Sequence, residues 1–190
     1  MKSFMKWLKR IFFGIVILIV IIAAALYFYI KPNEHLGWAP PVQVTLTERI
    51  DQMIRQHAPE IAISEAELNG YAAEWVRKEL HTSPILTKWK PYGMHIELQQ
   101  DQLLVKAEIE PWQGIRASVQ IPMDLSWNVS EQIIQAVPTG VYVKDLQIPQ
   151  GWIEVKPIQI QAGAWLHEFV KVKQMHFEEG KWRIRLGLKL

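Results

Sequence analysis

The sequence predicts an α+β protein: a single N-terminal transmembrane helix, then a long, curved, mostly antiparallel β-sheet packed on one amphipathic helix. Three observations lead to this prediction. Residues 11–30 form an uncharged apolar run, and residues 64–81 repeat apolar side chains at helical spacing. From residue 90 onwards apolar and polar residues alternate, as they do in strands that bury one face. Apolar residues make up 49% of the 190 residues, which is enough to fill a core.

The apolar run IFFGIVILIVIIAAALYFYI, residues 11–30, is long enough to cross a bilayer. At ~1.5 Å per residue it spans roughly 30 Å, the thickness of the hydrocarbon core. Basic residues precede it (Lys2, Lys6, Lys9 and Arg10), so the positive-inside rule places the N-terminus in the cytoplasm. A cleaved signal peptide is the alternative, since Ala23-Ala24-Ala25 offers a cleavage site. We expect a single-pass cell-membrane protein whose C-terminal domain is extracytoplasmic.

Charge is distributed unevenly along the chain. Residues 1–31 contain five of the 21 basic residues and no acidic residue, which leaves 16 basic against 19 acidic residues in the remainder. A mildly acidic domain lacks the basic surface that phosphate binding requires, so we expect no nucleic-acid partner. Cysteine is absent, which excludes disulfides, thiolate metal sites and cysteine nucleophiles.

The chain divides into three parts. Residues 1–31 form the cytoplasmic tip and signal anchor, residues 32–45 a proline-containing extracytoplasmic stalk, and residues 46–190 the α+β domain. In the domain we expect a first helix from Thr45-x-x-Glu48 to about His57, and a short strand over Ile61–Ile63. The capping box Ser64-x-x-Glu67 opens a second helix that runs to about Leu80.

The second half of the domain reads as a β-meander. We expect strands over 94–98, 105–109, 115–127, 141–148 and 158–164, a short helix at 130–134, and a hairpin joining 167–178 to 181–189. The strand at 115–127 keeps one apolar face over about 43 Å. One helix of about 17 residues is only ~25 Å long and cannot cover that face. Sheet curvature, the first helix, a partner or a ligand must cover the remainder. Trp75, Trp127 and Trp182 are expected in the core.

No sequence motif points to an enzyme. There is no nucleophile elbow, no phosphate-binding glycine-rich loop and no His-Glu-x-x-His helix, and the six histidines are not at ligand spacing. Glu65 and Glu67 are expected to serve a helix N-terminus. We therefore predict no catalytic residue, no metal and no cofactor. A hydrolase of the cell envelope is an alternative that two carboxylates clustered with a histidine would support.

Two segments carry a family resemblance. ISEAELNGYAAEWV, which contains Leu68-Asn69, and VYVKDLQIPQGW, which contains Pro149, resemble the YpmS-like family of uncharacterised, membrane-anchored extracytoplasmic proteins of Gram-positive bacteria. The predicted layout, a helix with Leu-Asn against a long curved sheet, is similar to that of tubular lipid-binding (TULIP-like) domains. The resemblance implies a structural role for Asn69, buried with its amide bonded to neighbouring backbone.

The predicted function is non-catalytic binding of a lipid or another amphiphile in a groove between helix and sheet. Apolar burial would supply the binding energy. The residues expected to line the groove are Leu68, Tyr71, Trp75, Val119, Ile121, Met123 and Trp127. The alternative is a structural or accessory protein of the cell envelope that acts through protein–protein contacts. The apolar face would then be ordinary core, and exposed tryptophans would mark the partner's surface.

Overall fold

A computed structural model describes residues 2–32, 35–42, 48, 60–112, 114–149, 151, 153, 155–162 and 170–188. The predicted first helix, residues 45–57, lies outside the described residues except for Glu48. The described helices are α1 (Lys2–Ile30), α2 (Glu65–Glu79) and α3 (Pro84–Trp89). The strands are β1 (Glu60–Ser64), β2 (Pro91–Gln99), β3 (Gln102–Trp112), β4 (Ile115–Asn128), β5 (Ile133–Pro138), β6 (Tyr142–Val143), β7 (Leu146–Gln147), β8 (Ile158–Gln161), β9 (Val170–Glu178) and β10 (Lys181–Leu188).

The strands form two antiparallel sheets, which confirms the predicted α+β class. The small sheet has the order β1-β10-β9. The large sheet has the order β2-β3-β4-β5-β8, and the β6–β7 hairpin joins it through β4. The apolar faces of the two sheets pack together, with Trp182 of β10 edge-on to Phe177 of β9 in the shared core. A second sheet thus supplies cover that the alternation pattern alone does not reveal.

The long strand and the terminal hairpin are confirmed. β4 runs for 14 residues and alternates buried and more exposed positions over most of its length. β9 and β10 join at Gly180, whose φ of 74° lies in the left-handed region that glycine adopts without strain. The predicted strand at Ile61–Ile63 lies in β1, which pairs with β10.

Two local predictions are wrong. Residues 130–134 are not a helix, because Asn128 Oδ1 accepts hydrogen bonds from the backbone N–H groups of Ser130 and Glu131. This turn leads directly into β5. Residues 141–148 are not one strand but a tight hairpin of β6 and β7, in which Lys144 turns the chain with a φ of 55°.

Helix α2 begins as predicted but buries a different face. The Ser64 hydroxyl accepts a hydrogen bond from Glu67 N, and the Glu67 carboxylate accepts one from Ser64 N, so the capping box is confirmed. The buried positions are Asn69, Gly70, Ala73 and Val76. Relative to the expected apolar stripe, the most buried positions are turned by about one residue, or roughly 100°, while Leu68, Tyr71 and Ala72 of that stripe still pack partly buried against the core.

This rotation overturns the prediction that Trp75 points at the sheet. Its side chain is 60% exposed. The reason is that Asn69 and Gly70 occupy the buried face, where the amide bonds to β2 and the glycine makes room for the chain that follows α1. Trp182 is buried as predicted, and Trp127 is partly buried against the core.

Candidate functional site

The apolar face of β4 is covered in two different ways along its length. Its C-terminal half, including Met123 and Leu125, lies against the small sheet. We call the buried residues between the two sheets the distal cluster. They are Ile61, Ile63, Ile96, Leu98, Leu103, Met123, Leu125, Ile134, Ala136, Ala162, Val172, Met175, Phe177, Trp182, Ile184 and Leu186. Backbone hydrogen-bonded strands therefore close this half.

The N-terminal half of the same face is covered without a second sheet. We call its buried residues, Ile109, Ala117, Val119, Val141 and Val143, the proximal cluster. The covering side chains are Trp89, the last residue of α3, and Ile148, Ile153 and Val155 of the irregular segment after β5, all of them partly buried. Ile121 contacts both clusters and marks the boundary between them.

The end of α1 packs against the proximal cluster. Residues Phe12–Ile30 are long and apolar enough to cross a membrane, and none of this segment is buried inside the protein. Ile30, its last residue, packs against the proximal cluster, and α1 contacts β4. The Nζ atom of Lys144 lies 5.2 Å from the centre of the Tyr29 ring, within cation–π range. The domain is thus seated directly on the end of the apolar helix.

The residues predicted to line one groove are divided among three environments. Leu68, Tyr71, Met123 and Trp127 belong to or pack against the distal cluster. Val119 is buried in the proximal cluster, and Ile121 bridges the two. Trp75 is on the outer surface of α2. The structure therefore brings Val119 and Ile121 close to the apolar helix end, and places the other five away from it.

Asn69 fastens α2 to the edge of the large sheet. Its Nδ2 donates to the Ile96 carbonyl at 2.7 Å, and its Oδ1 accepts from Ile96 N at 2.6 Å. The amide thus takes the place of a neighbouring strand, and the predicted burial and backbone bonding of Asn69 are confirmed. Glu65 adds a second contact between α2 and this edge, because its carboxylate accepts a hydrogen bond from Leu98 N at 2.8 Å.

Residues 35–42, from the predicted stalk, lie against the domain; we call them the strap. Met94 N donates to the Gly37 carbonyl at 3.0 Å, and Arg77 Nη2 donates to the Ala39 carbonyl at 3.4 Å. Side chains would not fit beneath the strap at two places. A Cβ at Gly93 would overlap the Gly37 backbone, and one at Gly70 would overlap Val42. Both glycines therefore allow close approach of the strap.

A polar cluster on the opposite face of the large sheet holds the strap. Glu108 is 2% exposed, and its carboxylate lies 3.3 Å from His35 Nδ1 and 3.4 Å from Arg116 Nη1. The Arg116 guanidinium stacks 4.1 Å from the centre of the Tyr92 ring. A buried carboxylate needs such partners, since an unpaired one would be strongly destabilising. The His35 contact therefore ties the strap to β3, and Arg116 of β4 pairs with the same carboxylate.

The same cluster shifts two pKa values. The Tyr92 hydroxyl donates to the Glu110 carboxylate at 2.6 Å. This hydrogen bond holds the pKa of Glu110 below its usual value of 4.5, and the bond from Gly114 N acts in the same direction. It also raises the pKa of Tyr92 above 10.0. Both groups are therefore held in their usual charge states at neutral pH.

The cluster contains two carboxylates and a histidine, the arrangement that would favour a hydrolase. However, Glu108 lies under the strap with Arg116 as its ion-pair partner, and Glu110 is bonded to Tyr92. Among the residues that the structure describes, no group of three or more His, Cys, Asp or Glu side chains could hold a metal ion. The arrangement that we observe binds the strap.

Sequence reasoning missed the parts of the proximal site that lie far apart in the chain. The alternation Val141, Val143 was visible, but nothing in it indicates that these residues cover Val119 or meet Ile30. The partnership of Glu108 with His35 joins residues 73 positions apart and has no local signal. Gly140, next to Val141, does indicate a change of direction.

Comparison with known proteins gives no relative: no protein-family model, no curated protein and no solved structure matches the chain. The resemblance to the YpmS-like family and to TULIP-like domains stays a prediction.

Proposed function

We propose that the protein is a membrane-anchored, non-catalytic domain that holds the acyl part of a lipid or similar amphiphile against the proximal half of β4. The supporting observation is the position of Ile30, which ends the apolar helix and packs in the proximal cluster. The apolar surface of the helix therefore continues into that of the sheet. An acyl chain could pass from one to the other without crossing water.

The proposed site retains Val119 and Ile121 from the predicted groove. Among the described residues between β7 and β8 none lies in a strand, and Ile148 N donates to the Val141 carbonyl at 2.8 Å. A cover of this kind can open at lower cost than a paired strand. Each buried methylene contributes about 0.8 kcal/mol, so a segment of about six methylenes gives roughly 5 kcal/mol before ordering costs.

Photo-crosslinking tests the acyl site. The full chain is placed in lipid nanodiscs that contain a phospholipid with a diazirine in its acyl chain, and adducts are mapped by mass spectrometry. Adducts in residues 12–30 serve as the internal positive control. We expect further adducts at Val119, Ile121 or the 141–155 segment. Adducts confined to residues 12–30 would overturn the proposal.

A matched pair of variants locates the site more closely. Ala117 in the proximal cluster and Ala136 in the distal cluster are 5% and 4% exposed. Ala117→Leu should fill the proposed site and reduce the adducts there, whereas Ala136→Leu should leave them unchanged. Each substitution overpacks a core and costs about 1–3 kcal/mol, so both variants are first checked for cooperative unfolding. Equal adduct yields in the two variants would argue against a proximal site.

We further propose that the domain lies outside the cytoplasm, which the basic residues before the apolar run support. Because the chain has no cysteine, Val129→Cys provides a unique label on a residue that is 56% exposed. A membrane-impermeant maleimide should label this variant on intact cells. Labelling only after the cells are broken would show that the domain lies in the cytoplasm, contrary to the proposal.

A second candidate function is that of an accessory protein with a protein partner, and the exposed Trp75 favours it. Tryptophan is enriched among the residues that contribute most to binding at protein–protein interfaces. A photoreactive phenylalanine analogue at position 75 should crosslink one specific protein in the producing cells. The same analogue at Val137, which is 42% exposed, serves as control. An identical crosslinking pattern at both positions would dismiss this candidate.

A further inference from the structure

The β6–β7 hairpin lies beside the outer end of the membrane-spanning segment. Tyr142 pairs with Gln147, and Val143 with Leu146, so Lys144 and Asp145 form the tip. The Lys144 cation faces the Tyr29 ring, one residue before the end of the segment. Val143 is buried in the proximal cluster and holds the hairpin in place. The tip therefore lies beside the end of the segment that is long and apolar enough to cross a membrane.

The hairpin tip combines a cation with an exposed apolar side chain. Leu146 is 55% exposed although it pairs with a buried valine. Lys31 is exposed directly after the span and adds a second positive charge near Tyr29, while Asp145 at the tip is exposed and carries the opposite charge. Lysine stems and leucine side chains favour the boundary between acyl chains and headgroups, where the ammonium reaches phosphate.

We propose that this hairpin is a second membrane contact, in which Lys144 binds the phosphate of an anionic lipid headgroup and Leu146 enters the adjoining acyl region. The partner is the same bilayer that holds α1. The proposal depends on α1 spanning that bilayer and is independent of acyl-chain binding at Val119. It would fix the domain at two points and prevent it from swinging about the helix end.

The absence of cysteine allows a site-specific test on the full chain. Leu146→Cys and Val129→Cys each carry one nitroxide label in liposomes of phosphatidylcholine with or without phosphatidylglycerol. Val129 is the matched control, because it is 56% exposed and follows the far end of β4. Tyr142 pairs with Gln120, eight residues before Asn128, which corresponds to about 26 Å of strand.

The readout is the accessibility of each label to oxygen, which partitions into the bilayer, relative to a water-soluble nickel chelate. We expect a ratio at Leu146 several-fold above that at Val129, rising further when phosphatidylglycerol is present. Equal ratios at the two positions would overturn the proposal. Because this readout reports hairpin position and not lipid occupancy, it can fail while the crosslinking experiment succeeds, or the reverse.

Two charge variants test the role of phosphate. Lys144→Asn removes the cation but keeps a residue that tolerates positive φ, so the turn is retained. It should lower the equilibrium constant for insertion in phosphatidylglycerol liposomes by about fivefold, the contribution of one basic residue near an anionic surface. Asp145→Asn should have the opposite effect. A Leu146 label that stays inserted regardless of Lys144 and of lipid charge would contradict the phosphate contact.

Discussion

The two halves of the β4 face differ in what covers them, although both belong to one strand with one alternating pattern. The distal half lies against a hydrogen-bonded sheet. The proximal half lies under an irregular segment, Trp89 of α3 and the end of α1. Alternation therefore fixes which side chains are buried, but the cover depends on segments that are distant in sequence. A single long strand can thus be covered by a second sheet at one end and by segments of other kinds at the other.

In the distal half, side-chain amides bond to backbone groups of the edge strands. Asn69 bonds to both backbone groups of Ile96 on β2. Gln132 does the same on β9, accepting from Val172 N at 2.8 Å and donating to the Val172 carbonyl at 2.9 Å. Each amide satisfies backbone groups at the edge of a sheet, which would otherwise invite pairing with another chain. The hairpin in the proximal half joins β4 through one residue pair, Gln120 with Tyr142.

The largest expected effect comes from removing the same side chain in each half. Ile134 is completely buried in the distal cluster, whereas Ile148 packs partly buried on the proximal one. Ile134→Ala should lower the free energy of unfolding by about 2–5 kcal/mol, and Ile148→Ala by about 1 kcal/mol. Denaturant titration of the full chain in detergent, followed by tryptophan fluorescence, measures both. Similar losses would show that the two halves are equally tightly packed.

Loss of the Asn69 amide should have the next largest effect. Asn69→Leu leaves the buried N–H and carbonyl of Ile96 without the partners that the amide supplies, at about 1–3 kcal/mol for each group. We expect the free energy of unfolding to fall by about 2–4 kcal/mol in the same titration. Gln132→Leu is the companion variant and should cost less, because Gln132 is only half-buried. The opposite ranking would mean that the amide contact at the β9 edge contributes more to stability than the contact at the β2 edge.

A smaller effect is expected where the strap crosses the large sheet. Gly93→Ala places a methyl group against the Gly37 backbone, which should cost about 1–3 kcal/mol and expose the strap to protease. Gly187→Ala is the control, since its Cβ meets only the flexible side chain of Lys173. Its effect should stay within about 0.5 kcal/mol. The two variants should therefore differ in protease resistance and in free energy of unfolding. Equal values would show that close contact with the strap does not stabilise the fold.

The smallest effect concerns acid and the small sheet. Arg183 Nη2 donates to Glu178 Oε2 at 2.8 Å and lies 2.6 Å from Oε1, and this interaction lowers the pKa of Glu178 below 4.5. A lowered folded-state pKa stabilises the fold above the unfolded value, and this contribution is lost as the pH falls through the folded value. Stability should therefore decline below about pH 4.5.

Substitution of the carboxyl group tests this assignment. Glu178→Gln should make the decline in unfolding midpoint below pH 4.5 shallower. Glu179→Gln, at the adjacent exposed position, should leave the decline as in the unaltered protein. Thermal unfolding followed from pH 7 to pH 3 distinguishes the two. An unchanged slope in Glu178→Gln would mean that other carboxyl groups govern acid stability.

Local patterns in the sequence were sufficient to predict most of the described helices and strands. The capping box set the start of α2, and alternation located β4 and the β9–β10 hairpin. The same patterns misplaced Trp75, because an apolar stripe carries no information about an amide that replaces a strand partner. They also gave one sheet where there are two, since alternation is identical whichever sheet a strand joins. Val119 and Met123 lie on the same apolar face of β4 but belong to different clusters. That difference depends on contacts with segments distant in sequence, so local patterns could not predict it.

The contact of Ile30 with the domain has a mechanical consequence. A helix that must match its apolar length to the bilayer changes its inclination when bilayer thickness changes. Here Ile30, the last residue of the helix, packs against the proximal cluster, so a helix that spans a bilayer would pass a change of inclination on to the domain.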